Sequence, residues 1–370
     1  MVCLGVESMI CSIAVYHPRP PDLAALPVPG SQFPDVRLSE NTSTPAVRAL
    51  SPLRVEYVNA DLTALLADPD VLAVIGFGAS APLEDDPRCL RIGLEPALNG
   101  RFEVWRGHAP VRRGRDGAVR WSSDGDYLFF AIDVDETASG SLEDAAAQAY
   151  QEIGSLLDTH RVRTGSPAHV LRLWNYMDAI NEGDGDTERY RRFCAGRAHG
   201  IGPAARNGYS AATAIGRRDG IRVLQVYGLA ARLAGVAVEN PRQLSAWSYP
   251  RQYGPVAPTF ARATRTPANQ LLVSGTAAVV GHSSQHVGDT LAQLDETLLN
   301  LTSLFDAAGT EIAERGFAAS LLKVYLRNPA DAAQVERRLH ERACGLPAPL
   351  VLVGDICRND LRLEIDGIQG

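Results

Sequence analysis

No two cysteines of this chain stand in a Cys-x-x-Cys pair. The six it has, at positions 3, 11, 89, 194, 344 and 357, lie far apart. That scatter argues against a zinc site or a disulfide framework and for a reducing compartment, so the expected location is cytoplasmic. Nowhere do 18 apolar residues run together, and no basic segment precedes an apolar core at the start, which supports neither a membrane span nor a signal peptide. Positive charge is not in surplus either. With 36 Lys and Arg against 43 Asp and Glu, a net charge of -7 and dispersed arginines, there is no electrostatic case for nucleic acid or an anionic membrane. Walker loops and Gly-x-Ser-x-Gly elbows are missing. Gly76-Phe-Gly-Ala-Ser-Ala81 mimics a dinucleotide fingerprint, but Pro82 and the acidic Glu84-Asp85-Asp86 follow where a helix N-terminus would have to meet a pyrophosphate. His282 and His286 have i, i+4 spacing in a Gly- and Ser-containing loop without a third ligand. No cofactor and no metal are expected.

What is present suits an ordinary globular protein: 45% hydrophobic and 21% charged residues over 370 positions. That length fits two domains, each able to bury a core. The Pro-rich residues 1–50 read as an irregular extension, 51–185 as an N-terminal domain and 186–370 as a C-terminal domain. The chain also repeats itself. A β-like run Tyr127–Asp133, a helical run from Leu142 to about Leu157 and a strand His169–Asn175 recur as Leu271–Ala277, a helix from about Val287 to Ala308 and Leu321–Leu326. In the second helix Leu291, Leu294, Leu298, Leu301 and Leu304 form a stripe that must face a sheet. The expected fold class is α+β: two tandem units, each a mixed or antiparallel sheet carrying helices on one face.

The C-terminal run carries the densest chemistry. Leu361, Leu363 and Ile365 alternate with Arg362, Glu364 and Asp366, which predicts a half-buried strand with two carboxylates on its polar face. Cys357 lies seven residues before Glu364.

Taken together, Leu271-Leu-Val-Ser-Gly-Thr-Ala277, the Gly-rich loop after it, Asp289–Asn300 and Leu322–Leu326 resemble the reactive-intermediate deaminase (YjgF-type) fold. Leu173–Asn181, Arg189–Arg197 and Tyr249–Pro255, with Cys357 and Glu364, resemble the chorismatases, enzymes that release pyruvate from chorismate and fuse two such units in one chain. The likeness covers roughly residues 125 to 368. It implies that Glu364 is the catalytic residue, an acid for the enolpyruvyl methylene. To stay protonated near neutral pH, a glutamic acid needs its pKa raised by roughly 2 to 3 units, which only an enclosed, partly apolar pocket supplies.

Chorismate is a dicarboxylate, so cationic donors are also needed. Arg251, between Pro250 and the tyrosines Tyr249 and Tyr253, is the first candidate clamp, with Arg197 a second that is equally well read as a structural ion pair. Tyr253, Tyr209 and Tyr176 are further candidate substrate contacts, each with a plain reading as core or surface tyrosine. Within the resemblance, Gly275 and Cys357 are the features of the benzoate-forming branch: glycine makes room for a shifted ring, and a thiol holds an attacking water poorly. The implied reaction is chorismate to 3-hydroxybenzoate and pyruvate, a cofactor-independent lyase step of secondary metabolism. The alternatives are a hydrolase giving a dihydroxycyclohexadiene acid, 4-hydroxybenzoate as product or co-product, an imine deaminase and a non-catalytic small-molecule binder. A homo-oligomer is compatible with the sequence, as is a monomer.

Overall fold

The computed structural model describes residues 48–98, 100–202 and 208–370. The expected irregular extension therefore lies almost entirely outside the described residues. No helix among the described residues is long and apolar enough to cross a membrane.

Three larger sheets and one two-stranded hairpin organise the described residues. The first is small: β1 (Arg54–Val58), α1 (Leu62–Ala67), β2 (Val71–Phe77), β3 (Cys89–Ile92) and β4 (Phe102–Arg106), with strand order β1-β4-β2-β3. The next segment supplies β5 (Arg112–Asp116), β6 (Val119–Ser123), β7 (Tyr127–Asp135), α2 (Glu136–Ser139), α3 (Leu142–Thr164), β8 (His169–Asp178), α4 (Arg189–Ile201), β9 (Ala211–Arg217) and β10 (Val223–Ala231). The last contains β11 (Val236–Val238), β12 (Ala263–Arg265), β13 (Leu271–Thr276), the short hairpin β14 (Val279–Val280) and β15 (Ser283–Ser284), α5 (Thr290–Ala308), α6 (Thr310–Arg315), β16 (Ser320–Leu326), α7 (Ala332–Arg342), β17 (Leu350–Val353), β18 (Asp355–Ile356) and β19 (Leu363–Gln369).

The internal repeat is visible in the strand orders. One large sheet runs β18-β9-β8-β10-β7-β6-β5 and the other β17-β16-β19-β13-β12-β11. Read from β9 and β17 the two have the same order and the same polarity: β8 pairs with β9 in parallel and β10 antiparallel to β8 and β7, while β16 pairs with β17 in parallel and β19 antiparallel to β16 and β13. In both units a long helix follows the same strand. Each is started by a side-chain cap that satisfies a free amide of the first turn: Ser141 for α3, Asp289 for α5. The leucine stripe of α5 lands as its period requires, with Leu294, Leu298, Leu301 and Leu304 buried on the outer face of β13, β16 and β19, each contributing about 1.5–3 kcal/mol. On the other unit Ala145, Ala149, Ile153 and Leu156 of α3 do the same. The two large sheets meet through their inner faces, where Phe129, Trp174, Tyr176, Tyr227 and Tyr325 fill the central core. This is the α+β arrangement of two units with helices on one face of each sheet.

Two expectations change. The sheet of the first unit extends through β9 and β10, so the switch between units falls between Ala231 and Val236 and not at 185/186, and the first four strands form a sheet of their own. The C-terminal strand is also not half-buried. β19 lies in the sheet interior between β13 and β16, every residue from Leu363 to Gln369 is buried, and the face read as polar is covered by the other sheet. Alternation shows which residues share a face, but not whether a second sheet covers it.

Candidate functional site

A cavity of about 550 Å³ opens beside Ala212–Ala214, where the outer edge of β9 is not covered by β18 and approaches β13. The amide of Ala212 donates to Ser274 Oγ at 2.9 Å and that of Ala211 to Thr264 Oγ1 at 2.9 Å, tying the two sheets together beneath it. The volume suits a small organic ligand.

Glu364 forms the floor. Its neighbour across the ladder with β16 is Tyr325, and on the other side β13 bulges at Ser274-Gly275. A Cβ at Gly275 would sit 1.8 Å from Glu364 Oε1, so the carboxyl group lies directly over the glycine. Glycine is needed here for close approach. Burial, followed by the nearby Asp366 carboxylate, pushes the Glu364 pKa up to about 8, against the pull of Arg172, Arg262 and Arg358. The position is special to the second unit: the register that sets Tyr325 opposite Glu364 sets Tyr176 opposite Gln225 in the first. Gln225 instead donates to the carbonyl of Arg91 and to Asp133.

Four arginines line the walls: Arg191 pairs with Glu188 at 2.9 Å, whereas Arg197, Arg262 and Arg358 pair with no carboxylate among the described residues. Arg197, only 5% exposed, projects from α4 over the Tyr150 ring, and its Nε has no partner. Its helix approaches α3 so closely at Gly196 that a Cβ there would fall 2.0 Å from the carbonyl oxygen of Glu143. Arg262, in the turn before β12, donates to the Leu244 carbonyl at 2.7 Å and to the Tyr249 hydroxyl at 2.8 Å. Arg358, after β18, donates to the His282 carbonyl at 2.8 Å and lies 4.1 Å from the centre of the Tyr253 ring. Buried guanidinium groups without carboxylates favour an anionic ligand. Cys357 completes the rim beside Tyr190 and Cys194. Burial and the Glu364 carboxyl push its thiol pKa well up, so it is a neutral, polarizable wall and not a nucleophile.

The sequence-predicted residues separate cleanly. Glu364, Cys357, Gly275, Tyr253 and Arg197 line the one cavity. Arg251 does not: its side chain is 65% exposed and paired with Asp186 at 2.6 Å on the outer side of a single 3-10 turn, whose Gln252 and Tyr253 face inward. Tyr176 is buried in the core between the sheets, its hydroxyl within 3.0 Å of Tyr325 and 3.4 Å of Tyr227. Tyr209 packs against Trp247 outside the cavity. Sequence reasoning missed Arg262, Arg358, Tyr249 and Thr213. Arg358 carried a usable signal, since it follows Cys357 directly. Arg262 carried none, because its partners come from a loop 13 to 18 residues earlier in the chain.

Residues 103–230 match the family model described as chorismatase FkbO/Hyg5-like, N-terminal. A 3-hydroxybenzoate synthase of Streptomyces hygroscopicus is 36% identical over 294 residues, covering 74% of this chain and 83% of that one. A chorismatase of Streptomyces rapamycinicus is 37% identical over 283 residues, covering 72% of this chain and 81% of that one. Among solved structures, a chorismatase crystal structure matches with a TM-score of 0.74 at 31% identity, over 88% of this chain and 100% of that one.

Proposed function

The chain belongs to the chorismatase family, and from that premise we propose that it splits chorismate into 3-hydroxybenzoate and pyruvate, with Glu364 as the acid. The observation that carries the reading is a buried carboxyl group, its pKa pushed up to about 8, on the floor of a half-open cavity walled by Arg197, Arg262 and Arg358. At neutral pH such a group still holds the proton that an enol ether needs.

The steps follow from the substrate's chemistry. The arginines take the two carboxylates as charge-assisted hydrogen-bond donors. Glu364 gives its proton to the enolpyruvyl methylene carbon, which becomes the methyl group of pyruvate. The neighbouring ring hydroxyl attacks the ring carbon that bears the ether oxygen, and the C–O bond electrons leave with pyruvate. The epoxide-like ring, which keeps the hydroxyl proton, opens at the bond to the carbon that first bore the hydroxyl, leaving O–H on the former ether carbon, and loss of that carbon's own proton makes the ring aromatic. No water is consumed, and the ring proton restores the proton spent by Glu364. The neutral Cys357 thiol offers a weak hydrogen bond to a water at the same place, which favours the internal hydroxyl. Gly275 leaves room for the carboxyl of Glu364 beneath the ring.

The test is to incubate the purified protein with chorismate, without added metal or nucleotide, and to resolve the products by chromatography with mass detection. Equal amounts of 3-hydroxybenzoate and pyruvate are expected. Pyruvate with a dihydroxycyclohexadiene acid would move the reaction to hydrolysis, and unchanged chorismate would overturn the proposal.

A further inference from the structure

A cavity that recruits a dianion with arginines works against its own acid, because every guanidinium near Glu364 favours the ionised carboxylate. Something must oppose them, and the opposing group stands two residues along the same strand. Asp366 is fully buried. Its Oδ2 accepts from Thr213 Oγ1 at 2.8 Å, Trp174 Nε1 at 2.9 Å and the Tyr325 hydroxyl at 3.0 Å, with an Arg172 guanidinium nitrogen at 3.2 Å. Its Oδ1 has no hydrogen-bond partner, and the nearest cation there, Lys323 Nζ, is 3.9 Å away and is bonded instead to Glu103 at 2.8 Å. Donors from β8, β9 and β16 therefore fix one oxygen and leave the other under-compensated in the core.

We infer that Asp366 is a positioning residue, a fixed carboxylate behind the active-site floor that keeps Glu364 in its acid form while the arginines in front hold the substrate. The inference rests on the role of Glu364 given above. Glu188, Arg191, Tyr249, Tyr253 and Asp360 line the outer part of the same cavity, and other groups stand around Glu364 itself. From its own strand comes Asp366; from β16, Tyr325; from β8 and β9, Arg172 and Thr213; from the turn before β12, Arg262; from the loop after β18, Cys357 and Arg358; from α4, Tyr190 and Arg197. Among them Asp366 is the acidic group that raises the Glu364 pKa most after burial itself, and Arg172, Arg262 and Arg358 pull it down. Arg172 is bound to the Thr213 hydroxyl at 2.5 Å and, beside Asp366, tempers that carboxylate's effect.

The experiment compares the pH dependence of kcat/KM for chorismate in the natural protein, Asp366→Asn and Arg172→Met. Neither residue lines the cavity, so KM at pH 6 stays within about threefold, the scatter of an indirect change. In Asp366→Asn the alkaline limb moves down by about one pH unit or more, the range a close charge commands. In Arg172→Met it moves up, because a guanidinium that favours the ionised Glu364 is lost and Asp366 is less compensated. A merely structural role predicts the same loss at every pH with the limb unmoved, and that result overturns the inference. Should Asp366→Asn fail to fold, Tyr325→Phe decides: it removes one donor from Asp366 and no charge from beside Glu364, so an upward limb supports the inference and an unmoved or lower one overturns it. Failure of the underlying reading looks different, namely full turnover by Glu364→Gln or none by the natural protein.

Discussion

The raised pKa of Glu364 has a stability consequence that is independent of catalysis. A carboxyl group with an ordinary pKa of 4.5 that is pushed up to about 8 on folding binds its proton more tightly in the folded state. Below about pH 4.5 it is protonated in both states and has no differential effect. As pH rises from there to about 8, the unfolded chain releases the proton and the folded chain does not. Unfolding is therefore favoured by about 1.4 kcal/mol more for each pH unit in that window, so stability is highest below the unfolded pKa and the loss is complete once pH passes the folded one. Over that window the loss is about 4 to 5 kcal/mol. Glu364→Gln has the same shape and no proton to lose, so its stability does not carry this slope. The assay is urea unfolding of both proteins at intervals from pH 5 to pH 9. The natural protein should lose several kcal/mol relative to Glu364→Gln across that range, and parallel profiles would refute the assigned environment of Glu364.

The kinetic expectations are equally specific. The alkaline limb of kcat/KM should fall near pH 8, and that of kcat should lie higher, because the bound dianion adds negative charge beside Glu364; coincident limbs would remove the dianion from its vicinity. Gly275→Ala forces the Glu364 carboxyl away by about an ångström and should reduce 3-hydroxybenzoate formation about 100-fold at nearly unchanged melting temperature, as followed by product chromatography and a thermal melt. Arg262→Met and Arg358→Met should each raise KM about 10- to 100-fold, the loss expected of a charge-assisted bond, whereas Arg251→Ala, outside the cavity, should leave steady-state turnover within about twofold. In ¹⁸O-labelled water the phenolic oxygen of the product should stay unlabelled by mass spectrometry, because it comes from the substrate's own hydroxyl.

Much of this architecture was legible from local patterns. The leucine stripe of α5 and the recurrence of strand, helix and strand both depend on neighbours in sequence, and the structure places them where the period demands. The switch between units was missed because β9 and β10 return to a sheet begun nearly a hundred residues earlier, which no local signal records. At the site, Glu364, Gly275 and Cys357 converge because two of them lie on adjacent strands of one sheet and the third in the turn leading to that sheet's central strand. Arg251 falls outside the cavity for a simple geometric reason: in the turn Arg251–Tyr253 a rotation of one residue decides which side chain faces it. Tyr176 illustrates the same limit at sheet level, since its strand face was readable but the opposing sheet that buries it was not. The role inferred for Asp366 depends on donors from three distant strands and has no signature in the sequence beyond its spacing from Glu364.

The central claim is that Glu364 supplies the proton and does not merely hold the substrate. It is tested most directly by measuring chorismate affinity and turnover of Glu364→Gln on the same preparation, by titration calorimetry and by pyruvate release. Affinity within a few-fold of the natural protein, with turnover reduced by about 100- to 10,000-fold, is the predicted result for loss of a general acid. Turnover close to that of the natural protein would contradict the account.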